Sequence, residues 1–98
     1  MIRTETFKKK GEVRVTFALP QDDPRLPASV VGDFNGWDPH AHPLRKRANR
    51  TWSAAVTLPI GSRHEFRYLG AAGKWFDESP DGSLVTRQPG RPNCVLRV

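Results

Sequence analysis

The sequence contains a single cysteine, no long apolar run and no stretch with a helical period. Cys94 alone cannot form an intramolecular disulfide, and a lone thiol is typical of a reducing compartment. No apolar stretch approaches the ~18 residues that a membrane span requires. The opening residues, Met1-Ile2-Arg3-Thr4-Glu5, also lack the apolar segment of a secretory signal. These absences lead us to expect a cytoplasmic protein without a membrane span.

The chain is also too short for the larger catalytic architectures. Ninety-eight residues are close to the common size of one compact core, so we predict a single domain over residues 1–98. A catalytic α/β barrel needs ~250 residues. The chain by itself therefore cannot be a barrel hydrolase.

No group of residues in the sequence has the pattern of a catalytic or metal site. Asp77 and Glu78 are adjacent, so in a strand their side chains point to opposite faces and do not form a glycosidase pair. Neither a nucleophile elbow nor a glycine-rich phosphate loop is present. His40 and His42 form an H-x-H pair that lacks a convincing third ligand, because His64 is distant in sequence. We predict no enzymatic activity, no cofactor and no metal.

Acidic residues are outnumbered by basic ones, 10 to 16, which gives a formal net charge of +6. An excess of positive charge raises the possibility of nucleic-acid binding. The basic clusters at residues 8–10 and 45–47 flank predicted turns, where solvated charges are the usual finding. We therefore favour a solvated basic surface over a dedicated nucleic-acid site, with incidental attraction of polyanions as the remaining alternative.

The sequence does contain short alternating apolar stretches that are separated by turn signals. The clearest places Val13, Val15, Phe17 and Leu19 on one face of a half-buried strand. The predicted strands cover residues 2–7, 12–19, 28–34, 51–58, 63–70, 74–77, 84–86 and 93–98. Residues 20–27 and 37–50 read as loops, with Leu44 anchored in the core. This pattern predicts an all-β, immunoglobulin-like β-sandwich of about seven antiparallel strands, without the disulfide.

The stretch from Val30 to Trp37 is the part around which the chain is organised. Gly32 allows a close backbone approach, and Asn35-Gly36 is a dipeptide that readily adopts positive φ and turns the chain. Trp37 follows the turn. Its ring is either a stacking platform held at a loop tip or a lid folded onto the core, and spacing alone does not distinguish the two.

Gly32-Asp33-Phe34-Asn35-Gly36-Trp37 resembles the G-x-F-N-x-W signature of family 48 carbohydrate-binding modules. The family includes N-terminal domains of isoamylases and glycogen branching enzymes, and the glycogen-binding domain of AMP-activated protein kinase β subunits. The similarity runs from about Glu12 to Val98. Further matches are Thr51-Trp52-Ser53, Leu58-Pro59-Ile60-Gly61, Glu65-Phe66-Arg67-Tyr68-Leu69, Gly73-Lys74-Trp75 and Asn93-Cys94-Val95-Leu96. The resemblance implies an early-set immunoglobulin-like fold and non-catalytic binding of α-1,4-glucans.

The resemblance also implies the site residues. Trp37 and Trp75 match the two tryptophans that stack on glucose rings. Arg67 replaces a lysine that hydrogen-bonds sugar hydroxyls, and Asn93 matches an asparagine near the last strand. From the residues alone, Arg67 could instead be a solvated side chain paired with Glu65 or Asp77. Alternation requires that either Trp75 or Phe76 is buried, and the family pattern exposes Trp75.

Two substitutions depart from the kinase-type pattern. Pro89 stands in place of a leucine that contacts the sugar ring, and Arg91 in place of a threonine. The turn 71–73 carries one inserted residue, which is closer to isoamylases and to small stand-alone bacterial proteins. These departures motivate an alternative, a protein-interaction domain that docks on a glucan-metabolising enzyme or self-associates without binding sugar. Trp52, which shares an apolar stripe with Val56, is expected in the core.

Overall fold

The computed structural model describes residues 1–79, 84–86, 90 and 92–98, and these form two antiparallel sheets. In chain order the strands are β1 (Ile2–Phe7), β2 (Glu12–Pro20), β3 (Ser29–Gly32), β4 (Arg45–Lys46), β5 (Thr51–Pro59), β6 (Arg63–Leu69), β7 (Trp75–Glu78), β8 (Leu84–Thr86) and β9 (Cys94–Arg97). One sheet has the order β1-β2-β5-β4. The other has the order β3-β6-β7-β8, and β9 pairs with β6. The predicted immunoglobulin-like all-β sandwich is confirmed.

The core lies between the sheets and is built by alternate residues of their central strands. On β2 all four predicted apolar residues are buried, and Phe66 and Tyr68 of β6 face them. The Phe17 ring centroid lies 5.1 Å from that of Phe66 and 6.2 Å from that of Tyr68. Burial of such rings is the largest favourable contribution to folding in a domain of this size. The alternation of apolar and polar residues in the sequence therefore places the apolar side chains in one core, which contains a cluster of aromatic rings.

Most predicted strand limits differ from the observed ones by no more than one residue, but the strand predicted over 28–34 is shorter than expected. β3 ends at Gly32, and Asp33–Asn35 form a 3₁₀ turn. Within this turn the residues with positive φ are Gly36 (65°) and Trp37 (60°), so Asn35 does not adopt the conformation that its sequence context predicted. Asn35 has a different role in the turn, which is described below.

The loop predicted over residues 37–50 contains a short strand that the sequence did not indicate. β4 is an edge strand of two basic residues that pairs with β5. Leu44, immediately before it, is 3% exposed and packs in the core, which confirms the predicted anchor. The other basic cluster, Lys8–Lys10, forms an exposed 3₁₀ turn between β1 and β2. No helix within the described part of the chain has the length and apolar character needed to cross a bilayer.

Candidate functional site

The loop that carries Trp37 is folded by the side chain of Asn35. Asn35 Oδ1 accepts a hydrogen bond from the Gly32 backbone N–H at 3.1 Å, and its Nδ2 donates to the Val30 carbonyl at 3.1 Å. The same Nδ2 lies 2.9 Å from His42 Nδ1. The Trp37 N–H then donates to the Gly32 carbonyl at 2.9 Å. One amide side chain therefore makes hydrogen bonds with two backbone groups at the end of β3. It thereby fixes the backbone from which the Trp37 indole projects.

Gly32 is required by a close approach of backbone and ring, as the sequence predicted. A Cβ atom at this position would lie 2.6 Å from Phe34 Cε2 and 2.7 Å from the Glu65 carbonyl oxygen. Phe34 is half-buried and its ring stacks 6.0 Å from that of Phe17, so the turn is anchored in the core. Trp37 is 39% exposed. Its indole is therefore presented to solvent by a loop that is itself firmly packed.

Arg67 lies close to both Trp37 and Trp75. It is on the outward face of β6, and its Cζ atom is 5.4 Å from the Trp37 ring centroid and 5.7 Å from the Trp75 ring centroid. Both distances are within the ~6 Å range of a cation–π contact. Trp75 is half-buried, whereas the next residue, Phe76, is 2% exposed and belongs to the core. We call Trp37, Arg67 and Trp75 the platform.

Asn93 joins the platform through the sheet register. Phe66 of β6 pairs with Cys94 of β9, so the residue before Cys94 falls beside Arg67. Arg67 Nε donates a hydrogen bond to Asn93 Oδ1 at 2.6 Å, and Arg67 Nη2 donates to the same oxygen. The structure thus brings together all four residues that the sequence analysis selected. The sequence left open a direct pairing of Arg67 with Glu65 or Asp77, and the hydrogen-bond partner observed is Asn93.

Glu65 is a member of this arrangement that the sequence analysis did not select. Its Oε1 accepts a hydrogen bond from Asn93 Nδ2 at 3.1 Å, and its Oε2 accepts one from Arg63 Nη1 at 3.2 Å. These bonds, with that from Asn93 the stronger influence, lower the pKa of the Glu65 carboxyl below its ordinary value. The alternation Arg63-Glu65-Arg67 along one strand face was visible in the sequence and could have indicated this row of charges.

A second polar network, centred on His64, holds the start of the loop that carries Trp37. His64 Nδ1 lies 2.8 Å from Asp33 Oδ1, and His64 Nε2 lies 2.8 Å from Ser62 Oγ. The combination resembles a nucleophilic triad, but the Ser62 hydroxyl donates to the Pro59 carbonyl at 2.6 Å and is committed to its own turn. Asp33 Oδ2 in addition accepts the Glu65 backbone N–H at 3.0 Å. The network therefore fastens the 3₁₀ turn to β6 and to the turn before it.

The arrangement suits a ligand that has apolar faces and polar edges. Indole rings stack on apolar C–H surfaces, while guanidinium and amide groups hydrogen-bond to hydroxyls with defined geometry. The two positions at which the sequence departs from the kinase-type pattern, Pro89 and Arg91, lie outside the described residues.

Comparisons of the sequence with a family model and with known proteins point to the same family. Residues 27–81 match the family described as "Carbohydrate-binding module 48 (Isoamylase N-terminal domain)". The chain is similar to 1,4-alpha-glucan branching enzymes. It is 36% identical over 69 residues to that of Deinococcus radiodurans, an alignment covering 68% of this chain and 10% of the relative. It is 38% identical over 47 residues to that of Xanthomonas campestris pv. campestris, an alignment covering 47% of this chain and 6% of the relative.

A third relative, the 1,4-alpha-glucan branching enzyme of Novosphingobium aromaticivorans, is 40% identical over 64 residues, with 63% of this chain and 8% of the relative aligned. The chain spans 10% or less of the length of these curated relatives. The aligned part is therefore a small portion of each enzyme.

Proposed function

Because this chain belongs to the carbohydrate-binding module 48 family, we propose that it binds α-1,4-glucans without catalysing a reaction, and that the ligand contacts Trp37, Trp75, Arg67 and Asn93. The observation that carries the proposal is the platform, in which the Trp37 indole, from the loop after β3, and the Trp75 indole, from the start of β7, both lie close to one guanidinium. Glycogen, starch fragments, maltooligosaccharides and cyclodextrins are the ligands of this class.

The chemistry of glucose explains why this surface suits it. Each face of the pyranose ring presents polarised C–H bonds, whereas the hydroxyls project around its edge. An indole offers a flat surface with a negative quadrupole face, which attracts those C–H bonds. Two indoles that are set apart can contact separate glucose units of a curved α-glucan. The rings of Trp37, which is exposed, and of Trp75, which is half-buried, are the candidates for such a pair.

Hydrogen bonding at the ring edge would come from Arg67 and Asn93. The guanidinium has N–H donors beyond those it directs to Asn93, and a planar donor group can bind two neighbouring hydroxyls at once. Because the guanidinium lies near both indoles, donors and stacking surfaces share one position on the sheet. Stacking supplies affinity, and the donors orient the sugar.

The proposal is tested by titrating β-cyclodextrin or maltoheptaose against intrinsic tryptophan fluorescence. We expect saturable quenching or enhancement in the wild type, and a loss of affinity of about tenfold or more in Trp37→Ala, since one stacked aromatic contributes on the order of 1.4 kcal/mol. Trp52→Phe is the control, because Trp52 packs against the core on the other sheet. No response at millimolar sugar, or equal affinity in Trp37→Ala and the wild type, contradicts the proposal.

A second candidate function is docking on a glucan-metabolising enzyme without sugar binding. Val95 is 46% exposed and pairs with Glu65, so an apolar side chain adjoins the platform on the same outward face. Exposed tryptophan and arginine side chains are frequent anchors of protein interfaces. Co-purification of a branching enzyme, with no retention of the chain on amylose resin, favours docking. Retention that free maltose reverses favours the glucan.

A further inference from the structure

Resting on this proposed function, we propose that Glu65 is a positioning residue for the glucan site. It fixes the side-chain amide of Asn93, and Asn93 in turn holds the Arg67 guanidinium against the two indoles. Glu65 need not contact the sugar, because it acts on Arg67 through the side chain of Asn93, the residue immediately before β9. Three observations carry the inference.

The first observation is the placement of the residues on the sheet. Arg63, Glu65 and Arg67 alternate along the outward face of β6, and successive side chains on one strand face are ~7 Å apart. Asn93 adjoins both Glu65 and Arg67 from the neighbouring chain segment and makes hydrogen bonds to each of them. It therefore bridges a gap between two charged side chains that do not share a hydrogen bond directly.

The second observation is that chemistry permits only one orientation of the Asn93 amide. A guanidinium can only donate hydrogen bonds, so the atom facing Arg67 must be Oδ1. A carboxylate can only accept them, so the atom facing Glu65 must be Nδ2. The observed bonds follow this order at both ends. Reversing the amide would set donors against the Arg67 donors and an acceptor against the Glu65 carboxylate.

The third observation is the charge around Glu65. Its carboxylate is bonded to Asn93 and to Arg63, with Asp33 as the nearby like charge, and the bonds from Asn93 and Arg63 lower its pKa. Glu65 is therefore an acceptor at neutral pH. Without that acceptor the amide is held at its Oδ1 end and loses the Glu65 bond at its Nδ2 end, so the guanidinium loses a firmly fixed acceptor.

The proposal is tested with Glu65→Ala, Glu65→Gln and a matched control, Glu5→Ala, using maltoheptaose titration. Glu5 is likewise a strand glutamate paired with an arginine, at 3.4 Å from Arg14, but it lies on the other sheet. We expect Glu65→Ala to weaken affinity about five- to tenfold, in the range of one lost polar contact. Glu65→Gln retains an acceptor for Asn93 Nδ2, so its affinity stays within about twofold of the wild type. Glu5→Ala leaves affinity unchanged.

A second measurement, by nuclear magnetic resonance without sugar, follows the Arg67 Nε–H signal. We expect a dispersed, exchange-protected signal in the wild type and in Glu65→Gln, and an averaged, rapidly exchanging signal in Glu65→Ala. An unchanged signal and unchanged affinity in Glu65→Ala overturn the proposal. If the wild type binds no glucan, the proposed function fails, while the Arg67 signal still decides whether Glu65 orders the arginine. Urea unfolding of each variant separates these effects from loss of the fold.

Discussion

The two sheets present outward faces that are built from similar strands but hold their arginines differently. On the four-stranded sheet, Arg14 lies 5.3 Å from the Phe7 ring and forms a 3.4 Å ion pair with Glu5. On the five-stranded sheet, Arg67 contacts two indoles and bonds twice to Asn93. Each arginine lies at an outward-facing position of a central strand, Arg14 on β2 and Arg67 on β6.

The difference shows that the neighbouring side chains, and not the strand pattern, decide how firmly an arginine is held. The Arg14 and Glu5 side chains are both largely exposed, and ion pairs of that kind contribute ~0–1 kcal/mol. Arg67 is half-buried, with an amide and two aromatic rings defining its position. A guanidinium has a defined position where loops and neighbouring strands bring such partners to it. The predictions below test this contrast between the two faces.

The largest expected effect is on the free energy of unfolding, and it comes from replacing one glycine in each sheet, Gly32 at the end of β3 and Gly11 in the turn between β1 and β2. In Gly32→Ala the new methyl group would meet Phe34 and the Glu65 carbonyl at under 3 Å, and we expect a loss of ~3 kcal/mol in the free energy of unfolding. Gly11→Ala, in the turn of the other sheet, meets no atom within 4 Å but has φ of +67°, so its loss should be ~1 kcal/mol. Urea denaturation measures both. Equal losses would show that the contact at Gly32 is easily relieved.

The next effect concerns one asparagine beside each sheet, Asn35 and Asn49. Asn35→Ala removes the partners of the Gly32 N–H and the Val30 carbonyl, and we expect a loss of ~2 kcal/mol in unfolding free energy together with weaker maltoheptaose binding. Asn49 is exposed beside the four-stranded sheet, where it accepts a hydrogen bond from Thr51. Asn49→Ala should stay within ~0.5 kcal/mol of the wild type. A stable Asn35→Ala with full affinity would refute the role assigned to the turn.

A smaller effect is expected from replacing each arginine by lysine. Lysine keeps the charge of Arg67 but lacks the planar fork that meets Asn93 and faces the indoles, so Arg67→Lys should reduce glucan affinity about three- to tenfold. Arg14→Lys should leave affinity unchanged because it changes only the opposite face. Isothermal calorimetry with maltoheptaose compares the two variants. Equal affinity in both would mean that the geometry of the guanidinium is not used.

The smallest expected effect is the pH dependence of the affinity for glucan. The pKa of Glu65 lies below its ordinary value of 4.5 because Asn93 and Arg63 hydrogen-bond to the ionised form. Its contribution is therefore fully present above that ordinary value and is lost as the pH falls through the lowered pKa. We expect affinity to be constant from pH 7 to 5 and to decline below that by less than about threefold, since the group is exposed. Glu65→Gln should abolish the decline, and a decline that persists in this variant assigns it to another group.

Local alternation in the sequence predicted the sandwich, whereas the resemblance to known modules selected the platform residues and Asn93. Alternation placed Phe17 and Tyr68 inside, whereas turn chemistry placed Trp37 just past the turn and left open whether its ring is exposed or folded onto the core; in the structure it is 39% exposed. The resemblance to known modules decided between Trp75 and Phe76, which alternation alone left open. The structure agrees with that choice, since Phe76 is buried.

What the sequence did not predict depends on contacts between distant segments. The link from Glu65 through Asn93 to Arg67 needs the register of β6 and β9, which no local pattern specifies. The strand β4 is two residues long, too short for an alternating signal. Asp33 and Phe34, which begin the 3₁₀ turn, are predicted as strand because the apolar run reaches Phe34, whereas the hydrogen bonds of the Asn35 side chain set the backbone there.

The backbone angle at Trp37 has a consequence for protein engineering. At φ of 60° a residue with a bulky side chain is strained by about 1–2 kcal/mol, whereas glycine and asparagine accept this conformation readily. A library screened only for heat resistance would therefore enrich the small residues at position 37 and discard the indole. Heat tolerance and the proposed glucan recognition make opposing demands on this one residue, so any thermostabilising campaign should keep it fixed.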